Sequence, residues 1–340
     1  MINRFKNFFS RQNNKYELFN INKYTIKTGS FNHILHDLEA ELEQKICEYV
    51  GADYACVANS ASSLISLALI RVRNITNKKN LYGSPIHIPS MIPIAVSNIV
   101  HNSRIPFCFK DDIDWVGRSY VMYNLGSVFD GSEGQKPYKI IDSAQEVRRN
   151  QFEEDAENED LMIFSLYPTK PIGGMDGGII VSNDKSKIDY FRAATHLGVG
   201  SAENDSWKRV LSFPGWKMHT NSSQCYVALK NLEKLDEKND KLDIIRKKYN
   251  DAFGIYNSSR HLYRIDVEKR REFREAMQSD GIQTGIHYGP AHMYPFYRGF
   301  VPAEMPKTNI KSKTTVSIPF NEKLTNKDVK FIIDKVSKYK

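Results

Sequence analysis

Cysteine is scarce in this sequence, and the few cysteines are scattered. Among 340 residues there are four, at Cys47, Cys56, Cys108 and Cys225, and no two of them form a CxxC pair. This spacing argues against a disulfide framework and against a zinc site, and we expect no bound metal. It is typical of a protein kept in a reducing cytosol, so we expect a cytoplasmic location.

Long apolar runs are also missing. Residues 86–100 are the nearest candidate, but prolines and polar residues interrupt them, and no run approaches the roughly 20 apolar residues that a membrane span needs. Residues 1–19 carry basic side chains without a continuous apolar segment, so we interpret them as a loose arm rather than a secretory signal. We therefore expect no membrane partner.

Acidic residues are outnumbered, with 40 Asp and Glu against 48 Lys and Arg and a net charge of +8. The excess fits either a lysine-rich surface or an anionic substrate, such as a phosphorylated or nucleotide-linked compound. The basic clusters 246–248 and 269–271 have the pattern of solvated helix faces, and no zinc-finger, RNA-recognition or helix-turn-helix signature accompanies them. Nucleic acid is not an expected partner.

Strand-like and helix-like segments alternate through the first half of the chain. Residues 33–50 have apolar side chains at helical spacing and end at Gly51, and Tyr54–Ala58 then reads as a buried strand. Further strands are predicted at 86–89, 106–109, 119–124, 139–142, 161–165 and 177–181, with helices at 64–72 and 94–101. This order predicts an α/β fold with a mostly parallel sheet, whose ligands gather at the carboxyl ends of the strands.

The later part of the chain has a different pattern. Helical spacing from 224 to 253 predicts one long helix that bridges two domains. A mixed region follows, with a helix at 267–279, a loop rich in His and Tyr at 286–297, a strand at 315–318 and a terminal helix from 325. We predict an N-terminal arm at 1–30, a large domain at 31–240 and a smaller α+β domain at 241–340.

One lysine lies in a distinctive stretch, FSLYPTKPIGGMDGGIIV from Phe164 to Val181. Lys170 occupies a turn between two apolar runs, and the glycines after it let the backbone approach a ligand closely. A lysine on a loop at the end of a buried strand can lose solvent and become a nucleophilic amine that forms a Schiff base. The alternative is an exposed lysine on a glycine-rich hairpin.

Two other predicted strand ends carry groups that suit the same ligand. Pyridoxal phosphate needs an amine, a carboxylate facing its ring nitrogen and a polar cup for its phosphate. Lys170, Asp142 and the turn at 60–62 supply the three, because helix-start N–H groups hold anions. Taken alone, Asp142 also fits a helix cap and the turn fits N-capping. Together the three predict a pyridoxal phosphate site.

Several motifs resemble the sugar-aminotransferase branch of the fold-type I pyridoxal phosphate enzymes, the DegT/DnrJ/EryC1/StrS family. IIDSAQE resembles its Asp-x-x-Gln motif, and SLYPTKPIGGMDGG its Ser-x4-Lys motif with the glycine-rich turn. PGWKMHTNSSQCYVALKNLEKLD resembles its dimer-contact segment, and GIHYGPAHMYPFY its substrate loop. The match runs from about Thr28 to Val336 and implies an aspartate aminotransferase-like large domain with a smaller C-terminal domain.

The resemblance also implies a role for individual residues. Lys170 would hold the cofactor and move protons, Asp142 would pair with the pyridine nitrogen, and Gln145 would contact the side of the ring's phenolic oxygen. Four residues are implied for the phosphate: Ser60, Ala61, Ser165 and Lys217. The family takes the last of these from the partner subunit, which implies a homodimer with shared sites, although a surface lysine is the alternative at that position.

The implied reaction moves an amino group, with glutamate as donor, to a 3-keto or 4-keto group of a nucleotide-linked deoxysugar in polysaccharide or glycan biosynthesis. Candidate substrate contacts are His287, Tyr288 and His292, for which ordinary packing is the alternative. Metal binding by these histidines lacks a third ligand at suitable spacing.

Three positions depart from the family's pattern. Ser60–Ala61 replaces Gly-Thr, Pro93 aligns with an aromatic residue that stacks on the cofactor, and Asp176 replaces a glutamate. They leave two alternatives open: a regulatory member that binds cofactor weakly, and an enzyme acting on another phosphorylated keto compound. Lys170 argues against the dehydratase branch, which has histidine at that position.

Overall fold

The computed structural model describes residues 35–78, 85–125, 136–199, 210–300 and 304–340, together with Tyr16 and Leu18. The predicted N-terminal arm at 1–30 otherwise lies outside the described residues. In the described ranges, no helix is both long and apolar enough to cross a membrane.

Seven strands precede residue 183 in the described ranges. They are β1 (Tyr54–Ala58), β2 (Ile86–Pro89), β3 (Phe107–Lys110), β4 (Tyr120–Asn124), β5 (Lys139–Asp142), β6 (Leu161–Ser165) and β7 (Gly178–Ser182). Five of them form the large sheet in the order β1–β7–β6–β5–β4, and β2 pairs with β3 in parallel. Each predicted strand is present to within about one residue, as expected where boundaries follow buried runs.

Strand directions differ from the prediction of a mostly parallel sheet. Strands β1, β5 and β6 share one direction, whereas β7 and β4 run against them, so the large sheet is mixed. The reversal at β7 has a local cause: residues 166–177, between β6 and β7, contain no helix, and antiparallel neighbours need no helical crossover.

Helices cover both faces of this sheet. They are α1 (Leu35–Val50), α2 (Ala61–Lys78), α3 (Ile94–Asn102), α4 (Gln151–Asp155), α5 (Lys185–Thr195) and α6 (Ser222–Leu232). Successive side chains of a strand face opposite sides, so Cys56 of β1 packs with α2, α3 and α5, and Val57 packs with α1 and α6. Each fully buried Leu or Ile of these layers contributes about 1.5–3 kcal/mol through loss of contact with water.

The C-terminal part builds a third hydrophobic cluster. Its elements are α7 (Leu235–Phe253), β8 (Tyr263–Asp266), α8 (Arg270–Ser279), α9 (Pro306–Thr314), β9 (Thr315–Ile318) and α10 (Asn326–Tyr339). Strands β8 and β9 pair antiparallel, and the buried ring of Tyr263 in β8 packs against the rings of Tyr249 and Phe320. Tyr16 joins this cluster and its carbonyl accepts from the Gln283 N–H at 2.9 Å. A domain boundary near residue 240 stays a prediction.

Helices α6 and α7 correct the prediction of one long helix from 224 to 253. The helix stops at Leu232, and a new one begins at Leu235 after Lys234 leaves helical geometry. The break lets α6 pack on α1 in the second cluster while α7 enters the third. Helix α6 also begins two residues earlier than predicted, because Asn221 and Gln224 form a capping box.

Candidate functional site

Three strand ends predicted to carry ligand-binding groups lie along one edge of the large sheet. Because β1, β5 and β6 point the same way, the segments 59–61, 142–145 and 165–170 all leave the sheet there. The structure thus brings together the three segments on which the sequence prediction depended.

Lys170 lies in the loop between β6 and β7, and that loop is held by several hydrogen bonds. The Gly174 N–H donates to the Leu166 carbonyl at 2.7 Å, and Asn231 of α6 donates to the Gly173 carbonyl. From α7, Lys238 Nζ donates to the Pro171 carbonyl at 2.8 Å. Burial lowers the pKa of Lys170, and the charge of Asp142 partly opposes this shift. The amine is therefore a better base at neutral pH than a free lysine.

Asp142 is a buried carboxylate at the end of β5, with an exposed fraction of 5%. Its oxygens accept from the Ala144 N–H at 2.9 Å and from the Tyr120 hydroxyl at 3.1 Å. Burial raises the pKa of Asp142, while the Ala144 N–H, the charge of Lys170 and the Tyr120 hydroxyl act in the opposite direction. A cationic group brought next to this carboxylate would favour its ionised form.

The turn before α2 lies directly against β7. Ser60 Oγ accepts from the Ser63 N–H at 3.1 Å and so caps the first turn of α2. A Cβ built on Gly178 would lie 2.2 Å from the Ala61 nitrogen and 2.5 Å from its Cα. Only glycine fits this close approach of turn to strand. Ser165 pairs with Gly178 in the β6–β7 register, so Ser60, Ala61 and Ser165 flank one glycine.

Replacing Gly178 with alanine is expected to destabilise the protein by about 1–3 kcal/mol or more, since the added methyl would overlap the Ala61 backbone. The measurement is the free energy of unfolding by urea. Gly299→Ala is the matched control, because a Cβ there meets nothing within 4 Å. Equal stability of the two variants would contradict this close approach.

Gln145, Tyr288 and Trp115 form a hydrogen-bonded and stacked group beside Asp142. Gln145 Oε1 accepts from the Gly117 N–H at 2.8 Å, and Gln145 Nε2 donates to the Tyr288 hydroxyl at 3.1 Å. The rings of Tyr288 and Trp115 are stacked with centroids 6.2 Å apart. Burial and the charge of Asp142 raise the pKa of Tyr288. The Gln145 amide is thereby held at both its oxygen and its nitrogen.

His287 also lies within electrostatic reach of Lys170. Its Nδ1 is 2.8 Å from the Ser317 hydroxyl oxygen. Burial lowers the pKa of His287 to about 4, with further contributions from the charges of Lys170 and Arg264. His287 is therefore a neutral imidazole at physiological pH.

We expect the His287 ring to show no titration in proton NMR spectra between pH 5.5 and 8, with the resonance assigned by its loss in His287→Asn. The unfolded chain takes up this proton near pH 6.5, but the folded protein does so only near pH 4. The contribution of His287 to folding stability therefore falls as the pH drops from 6.5 to about 4. A titration midpoint near 6.5 would contradict the burial of this ring.

His292 and Lys217 lie in other surroundings. His292 lies on a short 3-10 helix at Ala291–Met293, and its Nδ1 is 2.6 Å from Ser90 Oγ. Lys217 is exposed, and the carbonyl of the next residue, Met218, accepts from the Asn59 N–H at 2.8 Å. The segment carrying Lys217 is thus tied to the turn at Ser60, while its action on a partner subunit's phosphate stays a prediction.

Pro93 and Asp176, two of the positions that differ from the family's pattern, have local structural roles. Pro93 precedes the first turn of α3 with φ of −52°, and the exposed Asp176 accepts from the Gly177 N–H at 2.8 Å. Across the described ranges, no three His, Cys, Asp or Glu side chains are grouped as a metal site would need.

Sequence reasoning missed Tyr120, Trp115 and His261. His261 is buried, and burial together with the charges of Lys170, His287 and Lys238 holds its pKa well below the usual range. The first two lie in or beside predicted strands without a motif, and His261 lies 91 residues after Lys170 in the chain. Only the folded chain brings them to the site.

The comparisons with known proteins agree with this architecture. The model of the DegT/DnrJ/EryC1/StrS aminotransferase family matches residues 153–337, which is more than half of the chain. The chain is 25% identical over 342 aligned residues to the UDP-4-amino-4,6-dideoxy-N-acetyl-beta-L-altrosamine transaminase of Campylobacter jejuni, covering 86% of this chain and 87% of that one. It is 23% identical to the spore coat polysaccharide biosynthesis protein SpsC of Bacillus subtilis, covering 87% and 88%.

Among solved structures, PseC of Helicobacter pylori, an aminotransferase of pseudoaminic acid biosynthesis, superposes with a TM-score of 0.65 at 19% identity over 89% of this chain and 91% of that chain. CalS13 of Micromonospora echinospora, a sugar aminotransferase, superposes with a TM-score of 0.68 at 15% identity over 88% and 91%. These superpositions confirm the predicted aspartate aminotransferase-like fold. With the family model matching across most of the C-terminal half, the chain belongs to the DegT/DnrJ/EryC1/StrS family and is an aminotransferase.

Proposed function

We propose that this aminotransferase uses pyridoxal phosphate to transfer an amino group from glutamate to a 3-keto or 4-keto group of a nucleotide-linked deoxysugar. The observation that carries the proposal is that Lys170 and the buried Asp142 follow or end adjacent strands, close enough for the charge of each to act on the pKa of the other. The Campylobacter and Bacillus relatives are named for an amino-sugar transamination and for polysaccharide biosynthesis. By that likeness, the product would enter a polysaccharide or glycan.

The described residues fit this cofactor. Asp142 is buried and accepts from two neutral donors, the Tyr120 hydroxyl and the Ala144 N–H, so a protonated ring nitrogen would add a cationic donor to this carboxylate. The turn at Ser60 and Ala61 offers backbone N–H groups at a helix start, with Ser165 alongside, for a dianionic phosphate. Lys170 is an amine with a lowered pKa at the same sheet edge.

When bound, pyridoxal phosphate supplies a carbonyl that takes up the amino group and a ring that withdraws electrons from the adjacent carbon. Asp142 would hold a negative charge for the ring nitrogen, and Gln145 would orient the side of the ring that carries the oxygen. Lys170 moves a proton, because its lowered pKa leaves a larger neutral fraction than a free lysine has. The neutral His287 is a hydrogen-bonding partner for the substrate rather than a charged one.

The assembly is part of the proposal. We propose a homodimer in which Lys217 of one subunit faces the phosphate bound by the other, since an exposed cation suits a phosphate ligand. His287, Tyr288 and His292 are the proposed substrate contacts. A cytoplasmic location is proposed from the four cysteines, all of which are free thiols.

Visible absorption of the purified protein tests the cofactor, and half-transamination tests the substrate. We expect a yellow chromophore that glutamate bleaches and that a nucleotide-linked ketosugar restores. A panel should include 3-keto and 4-keto sugars and a phosphorylated keto compound without a nucleotide. If only the phosphorylated keto compound restored the absorbance, the assignment of a nucleotide-linked sugar as substrate would be wrong.

A regulatory role is the second candidate, favoured by Pro93 and by Ser60–Ala61 at positions where the family has other residues. It predicts a colourless protein that binds the cofactor weakly. A chromophore retained through dialysis would exclude it.

A further inference from the structure

A cleft lies beside α8 in the C-terminal part of the chain. It is an open cleft lined by α8 and the extended segment 284–286, and its volume is about 550 Å³. The charged residues that line it are Arg270, Arg271, Arg274 and Glu275, and the segment adds Thr284 and Ile286. The proposed function uses none of these residues.

Positive charge in this cleft is only partly neutralised, by Glu275 and by the charge of Glu272, which acts on Arg271. Three guanidinium groups face one carboxylate, and Glu275 pairs with Arg271 at 3.0 Å in an exposed ion pair, of a kind worth little to stability. Arg274 Nε donates to the Thr284 hydroxyl oxygen at 3.3 Å, which is a neutral partner. Burial lowers the pKa of Arg270, and the like charge of Arg274 lowers it further. Like charges held this close favour a bound anion.

We propose that this cleft binds a phosphate-bearing ligand of the size of a nucleoside diphosphate. Arginine suits phosphate because its planar fork donates two parallel hydrogen bonds to two oxygens. The cleft is larger than a single inorganic anion needs, and Ile286 gives it one apolar wall. Arg270 donates to the Ser312 carbonyl and fixes α8 on α9, so Arg271 and Arg274 are the ligand's main contacts.

The cleft and the Lys170 site share one segment of backbone. Thr284 and Ile286 face the cleft, whereas Gly285 pairs with Ser317 and His287 reaches the Ser317 hydroxyl on the inner side. The ligand therefore has two possible sources: the diphosphate of the sugar substrate reaching around this edge, or a separate nucleotide acting through the segment. The shared chemistry is the phosphate group.

The test is calorimetric titration with inorganic pyrophosphate of the full chain, which is first loaded with pyridoxal phosphate to fill the phosphate turn at Ser60 and then freed of excess cofactor, so that no other phosphate competes for the cleft. We expect binding at one site per chain, weakened at least about tenfold in the double variant R271A/R274A and by added salt. Lys330→Ala, which removes an exposed cation of α10, is the control and should bind as wild type does. Melting temperatures check that each variant folds.

Wild-type protein that does not bind pyrophosphate, or a double variant that binds equally well, would overturn the proposal. This titration needs no turnover, so its result is independent of the proposed function. Steady-state kinetics then separates the sources and does rest on that function. A raised KM for the nucleotide-linked sugar in R271A/R274A identifies the substrate's diphosphate, and an unchanged KM with lost pyrophosphate binding identifies a separate nucleotide.

Discussion

Lys170→Ala is expected to lower the turnover number by roughly 10,000-fold or more and to remove the visible absorbance of the cofactor complex. The loss follows from the position of the amine, which is the group beside Asp142 that can both bond to a carbonyl and move a proton. Steady-state rates with glutamate and a ketosugar, and a spectrum of the dialysed protein, measure the two effects.

Two companion variants sharpen this result. Lys170→Arg keeps the positive charge but cannot form a Schiff base, so it should be as inactive as the alanine variant. Lys185→Ala removes an exposed lysine that pairs with Asp189 on α5 and should keep wild-type rates. Full activity in Lys170→Ala would show that the assignment of this amine is wrong.

Asp142→Asn is expected to lower the turnover number by about 100-fold to 1,000-fold while leaving the fold intact. The amide has the shape of the carboxylate: its oxygen can accept from the Ala144 N–H, and its NH2 group can donate to the Tyr120 hydroxyl oxygen in place of the bond that the carboxylate accepts. What it loses is the negative charge opposite the ring nitrogen. Since burying an ionised carboxylate is unfavourable, the free energy of unfolding should stay the same or rise.

Asp160→Asn provides the contrasting control. Asp160 is also buried, and its oxygens accept from the backbone N–H groups of Lys139 and Glu157 at 2.7 and 3.0 Å. Its loss of charge-assisted hydrogen bonds should reduce stability and leave the turnover number near that of the wild type. If Asp142→Asn behaved in the same way, its carboxylate would be structural.

Much of the fold could be predicted because its elements follow local patterns. Buried apolar runs such as Tyr54–Ala58 and Leu161–Ser165 mark the strands, and helical spacing marks α1 and α10. The direction of a strand could not be predicted in the same way. The residues of Gly178–Ser182 do not themselves indicate whether a helix or a short loop connects this strand to the one before it. The break between α6 and α7 at Lys234 was not predicted, because both helices bury leucines at one continuous spacing.

In the candidate site too, the residues that local patterns mark could be predicted, and those that depend on contacts between distant segments could not. Lys170, Asp142 and the Ser60 turn were accessible because each ends a predicted strand, and parallel strand ends meet at one edge. The residues that hold these groups in place could not be predicted, because they reach the site through contacts between segments that are distant in the sequence. Tyr120 reaches Asp142 across 22 residues, and Tyr288 reaches Gln145 across 143.

The most direct measurement is borohydride reduction of the cofactor-loaded protein followed by peptide mass spectrometry. The account predicts that a pyridoxyl group is fixed on the peptide containing Lys170 and on no other. Lys238 is the informative competitor, because burial also lowers its pKa and it bonds to the same loop at Pro171. A label on Lys238 or Lys217, or no label on any lysine, would contradict the account.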